Sequence, residues 1–343
     1  MTTMSVLTET RPPRLEPAPA LERETMDVSI LIVTWNSALW IERCLTSIGT
    51  ASGGLRYEVL VLDNASNDGT AAIVRSRGGD RINCFESPAN LGFAGAMNRL
   101  IEKAKGEYLL CLNADAEPES GSIAKLVEHL ERNPDVAGAV PLLSHDDGAS
   151  QHEWQLRSLP SMRSIAAEVL LLDKILPRND WSRNDYRGID LADVQQVEQP
   201  AAAAMLLRKS VVRSIGAFDE SFKPAWFEDV DYCKRIADAG MSIDLVPSAR
   251  ASHVGGASLE QMPFDEFITV WYRNLHLYVK KWFSPAQAEK VRWMIVAGML
   301  VRIVVTSSFL VRTPPPRRIA LRGYWTVLKE ALARWSVTSR SSS

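Results

Sequence analysis

The chain of 343 residues has only four cysteines, Cys44, Cys84, Cys111 and Cys233. No two of them stand in C-x-x-C spacing, and each lies among apolar neighbours. The pattern excludes a disulfide framework and a cysteine zinc site, and reads as buried thiols in a reducing compartment. Net charge is equally scarce: 39 Lys and Arg against 41 Asp and Glu leave −2. That balance excludes a simple basic nucleic-acid binder, so no nucleic-acid partner is expected. The first 26 residues lack an apolar signal-peptide core and carry Pro12, Pro13, Pro17 and Pro19. They read as a flexible leader, residues 1–26, on a chain that stays in the cytoplasm. No internal repeat is visible. No G-x-G-x-x-G follows the first apolar run, where Thr34-Trp35-Asn36 stands instead, which argues against a dinucleotide-dependent dehydrogenase.

What is present is a globular composition, 46% hydrophobic and 23% charged, with alternating strand and helix signals. Val28–Thr34, Glu58–Asp63, Glu107–Asn113 and Val136–Leu143 are short apolar runs, as expected of strands buried on both faces, and Arg81–Glu86 is a further expected strand. Between them lie segments of helical spacing. Trp40, Ile41, Cys44, Leu45 and Ile48 form one apolar face, with Asn36 or Ser37 as its expected cap. Others run from about Asp68, from Ala94 to Lys105 and around Ile123–Leu130, this one expected to start near Pro118, and a later one from Phe227 to Ala239 is ended by Gly240. The fold class is therefore α/β, a mostly parallel sheet flanked by helices. Ligands of such sheets bind beyond the carboxyl ends of the strands. The polar residues ending these strands are Thr34, Trp35 and Asn36, then Asp63 and Asn64, then Asn113 and Asp115. Pro177 to Asp193 is polar and irregular, as in a substrate-shaping insertion.

Seven stretches make the reading specific: VSILIVTWN (28–36), VLDNASNDGT (61–70), NLGFAGAMN (90–98), LLCLNADAEPE (109–119), GAFDESF (216–222), WFEDVDYCKR (226–235) and HVGGAS (253–258). In this order they resemble the family 2 glycosyltransferases of GT-A fold, nearest to the rhamnosyltransferase-like branch. The resemblance covers about two thirds of the chain, from Val28 to about Ser258. It implies an inverting transferase that takes a sugar from a nucleotide-diphosphate donor to a hydroxyl of a glycan or lipid-linked acceptor in cell-envelope polysaccharide synthesis. A non-catalytic nucleotide-sugar sensor on the same fold is the alternative. No glutamine opens the Q-x-x-R-W motif of processive relatives, so a single transfer is expected.

The resemblance also distributes roles. A D-x-D-type metal motif falls on Asn113-Ala114-Asp115, with Asp115 as the ligand of Mg2+ or Mn2+. Asn113 is expected to hydrogen-bond the sugar or ribose of the donor but supplies no charge, so the diphosphate itself would complete the shell. His253, followed by Gly255 and Gly256, is the second candidate for the metal or diphosphate, with Ser258 beside it. Asp229 matches the general base. Helical spacing agrees, since Asp229 lies four residues before Cys233 on an apolar face, while Asp231 lies four before Arg235 and is expected to pair with it on the exposed side. Glu228 is expected to orient the acceptor and Trp226 to stack on a sugar. Thr34, Trp35, Asn36, Asp63, Asn90, Gly92 and Asn98 are assigned to the nucleotide end, where Gly92 and Gly95 would let the backbone near Phe93 approach the ligand.

The transferase domain is expected over residues 27–283, followed by a helical segment, 284–343. Trp293 to Val311 is apolar apart from Arg302 and three hydroxyl residues. One arginine at mid-helix about offsets the insertion free energy of ten Leu, Ile, Val and Phe. Downstream, Arg312 to Ser343 holds seven Lys and Arg against Glu330 alone. A helix lying on the inner face of the cell membrane fits this pattern. Packing on the catalytic domain and a homodimer interface are the alternatives.

Overall fold

The computed structural model describes residues 26–172, 186, 189–256, 262–308 and 315–335. Ser258 and most of the segment 177–193 lie outside the described residues. The strands are β1 (Val28–Thr34), β2 (Tyr57–Asp63), β3 (Ile82–Glu86), β4 (Tyr108–Asn113), β5 (Ala116–Pro118), β6 (Val136–Ser144), β7 (Leu156–Arg157), β8 (Gln195–Val197), β9 (Gln199–Pro200), β10 (Ala204–Arg208) and β11 (Ser242–His253). The main sheet runs β3-β2-β1-β4-β10-β6-β11-β5, with β8 also on β11, while β7 and β9 form a separate pair. Pairing is parallel from β3 through β4 and between β6 and β11. β10 is antiparallel to both of its neighbours, so β4 and β6 point the same way and end at one edge. The mostly parallel α/β sheet expected from the sequence is what forms.

The central strands are apolar on both faces because helices cover both. Val28, Ile30 and Ile32 pack with Ile41, Cys44 and Ile48 of helix Ile41–Ala51 and with Leu126 and Leu130 of helix Ser122–Arg132. Leu31, Leu109 and Cys111 face the other way, against Ala96, Met97 and Leu100 of helix Gly92–Lys103 and Tyr232, Cys233 and Ile236 of helix Glu228–Asp238.

Three local expectations are corrected. Neither Asn36 nor Ser37 caps the first helix, which begins at Ile41 after Trp40 with no side-chain cap. Asn36 instead adopts a positive φ of 48°, and its Oδ1 accepts from the Asn67 amide at 2.9 Å. The turn after β1 is built by bonds to the 66–70 loop, and capping cannot be served by the same side chain. No helix starts near Pro118. The chain beyond Asp115 forms the short strand β5, because pairing with β11 satisfies its backbone. The third correction, to the exposure of Asp231, concerns the site.

Helices Phe264–Trp282, Pro285–Ser307 and Arg317–Leu332 close the fold. No helix among the described residues is long and apolar enough to cross a membrane. Their inner faces share one apolar cluster with Ile165, Val169, Phe222, Phe227 and Val230. Arg302 does not meet an apolar phase: it donates to the carbonyl oxygen of Val169 at 2.6 Å, where helix Met162–Val169 ends, and lies over the Tyr272 ring. A guanidinium there supplies the donors that terminal helix carbonyls lack.

Candidate active site

At the carboxyl edge, antiparallel pairing of β5 with β11 sets His253 opposite Ala116. This brings together two residues 138 positions apart in the chain: His253 Nε2 lies 3.5 Å from Asp115 Oδ1. Asn113 Nδ2 is 3.5 Å from the same nitrogen. His253 is 2% exposed, and the amide of Gln151 fixes its ring. The Gln151 NH2 group faces two acceptors, the His253 carbonyl and His145 Nδ1. Its Oε1 must then face His253 Nδ1, at 3.1 Å, so Nδ1 carries the proton. In the neutral ring that leaves the Nε2 lone pair directed at Asp115 and Asn113, the tautomer a metal ligand needs. A lone pair beside a carboxylate oxygen is repulsive until a proton or a metal cation stands between them, and an imidazole nitrogen with a carboxylate oxygen is a donor pair that a divalent ion accepts. Among the described residues no group of three His, Cys, Asp or Glu could hold a metal. The protein supplies two such donors, and Asn113 supplies no charge. Gln151 had no signal in the sequence.

The second group of acids reaches this edge by topology. Helix Glu228–Asp238 turns through Gly240, at φ 73°, into β11. β11 starts opposite Val136 and ends opposite Ser144 of the parallel β6. A helix leading into the start of a strand and packed along it has its N-terminus at the edge where that strand ends. Glu228 and Asp229 therefore share the carboxyl edge with Asp115 and His253. The helix opens on three acids in its first turn, matching the positive end of its dipole.

The three acids differ in their surroundings. Asp231 is fully buried, not on the exposed side. Its pairing with Arg235 is as expected, at 3.0 Å, but Trp282 Nε1 at 2.9 Å and Lys281 Nζ at 2.7 Å also reach it. Both come from helix Phe264–Trp282, so local spacing could not show the burial. Asp229 is half-buried and accepts from the Val230 amide at 2.8 Å. Glu228 is 6% exposed, and its Oε2 has no hydrogen-bond partner among the described residues. Burial, reinforced by the Asp229 charge, pushes the Glu228 carboxyl well above the ordinary carboxylate range. An acid raised by folding is stabilising below its unfolded value and loses that contribution as pH rises through the folded value. Stability should therefore fall as pH rises above about 4.5, and Glu228→Gln should flatten the fall. Urea unfolding of both proteins at acidic and alkaline pH checks this, and parallel profiles would refute it.

The turn before this helix is held from the C-terminal side. Trp226 and Phe227 both have positive φ, 72° and 75°, a conformation costing on the order of 1–3 kcal/mol for a residue with a side chain. Asn274, fully buried, donates to the carbonyls of Ala225 at 2.9 Å and Trp226 at 3.1 Å. Arg273 donates to the carbonyl of Lys223. Both residues were missed in the sequence, although Asn274 interrupts the apolar stripe formed by Val270, Leu275, Tyr278 and Val279. A polar residue on such a stripe needs a buried partner. Asn274→Ala should cost about 1–3 kcal/mol by orphaning these carbonyls. It should also lower kcat more than it raises KM. Denaturant midpoints and steady-state kinetics test it; unchanged stability would remove the holding role. Trp226 packs edge-on against Phe267 at 4.9 Å and remains half-buried.

The residues expected at the nucleotide end meet in two loops. Thr34 pairs with Asp63 across β1 and β2 and donates from Oγ1 to Asp63 Oδ1 at 2.9 Å. The other Asp63 oxygen accepts from the Ser66 amide at 3.0 Å. Trp35 and Asn36 follow, half-buried. Asn90 Oδ1 accepts from Asn64 Nδ2 at 2.9 Å and from the Gly92 amide at 2.8 Å. Gly92 and Asn98 also contact the segment before Asp229. A Cβ on Gly92, at φ 76°, would stand 2.7 Å from the Pro224 carbonyl oxygen, so this glycine admits the 223–226 turn. Asn98 is bonded to both backbone groups of Phe218, at 2.9 and 3.0 Å, and to Glu220 at 3.0 Å. Both residues brace the loop that leads to Asp229.

The model of one protein family, glycosyl transferase family 2, matches residues 29–216. An N-acetylglucosaminyl-diphospho-decaprenol L-rhamnosyltransferase of Mycobacterium tuberculosis (strain CDC 1551 / Oshkosh) is 27% identical over 295 residues, 81% of this chain and 93% of that protein. Among solved structures, the mannosyltransferase PcManGT from Pyrobaculum calidifontis, in complex with GDP-Man and Mn2+, superposes with a TM-score of 0.53 at 16% identity, covering 95% of this chain and 92% of that one. GalNAc-T7 with UDP, GalNAc and Mn2+ gives a TM-score of 0.54 at 15% identity over 93% of this chain and 58% of that one. At these identities the two structures establish a shared GT-A-like fold.

Proposed function

We propose that this chain, which belongs to glycosyl transferase family 2 and so transfers sugar from a nucleotide donor, is an inverting, non-processive hexosyltransferase using rhamnose as its sugar and a lipid-linked glycan as its acceptor. The donor and acceptor classes follow the named activity of the mycobacterial relative at 27% identity, and the acceptor places the reaction at the inner face of the membrane. The observation that carries the mechanism is the β5–β11 pairing, which gathers Asp115 and His253 at the edge shared by Glu228 and Asp229.

Asp115 and His253 would hold Mg2+ or Mn2+, which when bound neutralises charge on the diphosphate. Thr34, Trp35, Asn36, Asp63 and Asn90 would frame the nucleotide. Asp229 takes the proton of the acceptor hydroxyl as its oxygen forms a bond to the anomeric carbon. The bond from that carbon to the diphosphate oxygen breaks on the opposite side, so the centre inverts and the nucleoside diphosphate leaves with the electron pair. Burial favours the protonated form of Glu228 over that of Asp229 beside it, consistent with two neighbouring carboxyls in unlike environments dividing acid and base roles. The free Oε2 of Glu228 is available to a hydroxyl of the acceptor.

The test is a screen of nucleotide sugars against a polyprenyl-diphosphate-linked acceptor, with and without Mn2+, followed by NMR assignment of the product anomer. Retained anomeric configuration would overturn the mechanism. Turnover with only non-deoxy donors would overturn the sugar.

A further inference from the structure

Ten large apolar side chains are exposed among the described residues, and seven of them lie on the last two helices. On helix Pro285–Ser307 these are Trp293, Leu300, Val301, Val304 and Val305. Positions 293, 300, 301, 304 and 305 recur at helical spacing and form one outward stripe. The opposite face of the same helix, with Val291, Ile295 and Met299, is buried in the C-terminal cluster. Arg302, the one charge inside the stripe's span, is turned inward onto the Val169 carbonyl. On helix Arg317–Leu332 the exposed positions Arg318, Arg322, Trp325, Lys329 and Leu332 share one side.

The charge on these two helices is mostly basic, with Arg322 paired to Asp265. The acids of the two helices are Glu289 and Glu330. Glu289 is tied to Arg292, and Glu330 is half-buried. Lys290, Arg318 and Lys329 are exposed beside the apolar side chains. We propose that the outer faces of these two helices dock on an anionic lipid surface, with the stripe of Trp293 and Leu300 to Val305 entering the headgroup layer without crossing it. An apolar stripe with a basic margin is the pattern that lipid interfaces retain. A two-fold pairing of copies would set the same basic residues against one another. The inference draws its purpose from the lipid-linked acceptor proposed above, and its observations are independent of it.

The test is sedimentation of the full-length protein with phosphatidylcholine vesicles that contain roughly a third phosphatidylglycerol. Binding is expected to these vesicles and to weaken at least about tenfold on pure phosphatidylcholine or when salt is raised to about 0.5 M. The surface variant Leu300→Glu with Val304→Glu should weaken it by at least about tenfold with an unchanged circular dichroism spectrum. Absence of vesicle binding, or binding unaffected by that variant, overturns the proposal. Concentration-dependent dimers abolished by the same variant, without vesicle binding, assign the surface to a second copy and also overturn it. Transfer is followed in parallel on polyprenyl-linked and water-soluble acceptors. Docking without transfer to any polyprenyl-linked acceptor sinks the acceptor reading alone, and transfer without docking sinks this one alone.

Discussion

Replacing Asp229 by Asn should lower kcat/KM by about 10²–10⁴-fold, the usual contribution of a positioned general base, while donor affinity stays within about twofold. The side chain keeps its shape and can still accept from the Val230 amide, which bonds Asp229 Oδ1 at 2.8 Å. What it loses is the ability to take the acceptor proton. The expected signature is a fall in kcat with little change in the donor KM and with undiminished donor binding by calorimetry. The opposite result, weak donor binding with a near-normal kcat, would move Asp229 to the nucleotide end and end its assignment as base. Asp231→Asn is the control for position: it removes a charge held by Arg235, Lys281 and Trp282. It should therefore destabilise the fold before it alters the chemistry.

Asp115→Ala should remove the dependence of donor binding on Mn2+ and reduce kcat/KM by about a thousandfold, the equivalent of several kcal/mol. One carboxylate is the whole formal charge that the Asn113-Ala114-Asp115 motif contributes, and no third His, Cys, Asp or Glu completes a metal group among the described residues. A compensating ligand is thus absent from the motif itself. Gln151→Ala should weaken Mn2+-linked donor binding by about 10–100-fold without touching the ligands, because it frees the His253 ring whose Nδ1 it orients at 3.1 Å. Titration of donor binding against Mn2+ measures both variants. A Gln151→Ala protein with unchanged Mn2+ dependence would show that the tautomer is set elsewhere, and an Asp115→Ala protein that retains it would displace the cation from this strand end.

The sheet was legible because its central strands are apolar on both faces and their intervals carry helical spacing. The acids at the strand ends were legible for the same reason: a buried strand that stops in Asn or Asp marks the rim. Asp115 and His253 were named separately, but nothing in their spacing could show that β5 pairs with the end of β11, since that contact spans 138 residues. Asp231 shows the limit of local reasoning. Its four-residue spacing to Arg235 was real, while its burial depends on Trp282 and Lys281, some fifty residues on. Asn98 and Gly92 were drawn toward the nucleotide by their motif, and nothing in it showed that Asn98 also bonds Phe218 or that Gly92 leaves room for the 223–226 turn. Residues that brace a loop and residues that touch a ligand look alike in one dimension, because both combine a small or amide side chain with a turn.

The cluster shared by Phe222, Phe227 and Val230 with the three C-terminal helices has a practical consequence. Cutting the chain before helix Pro285–Ser307 would strip one wall from the segment that carries Asp229 and lay bare apolar side chains now buried. Such a shortened enzyme would be inert and prone to clump for reasons unconnected with lipid. Questions about attachment must therefore be put to an intact polypeptide altered only on its outer skin.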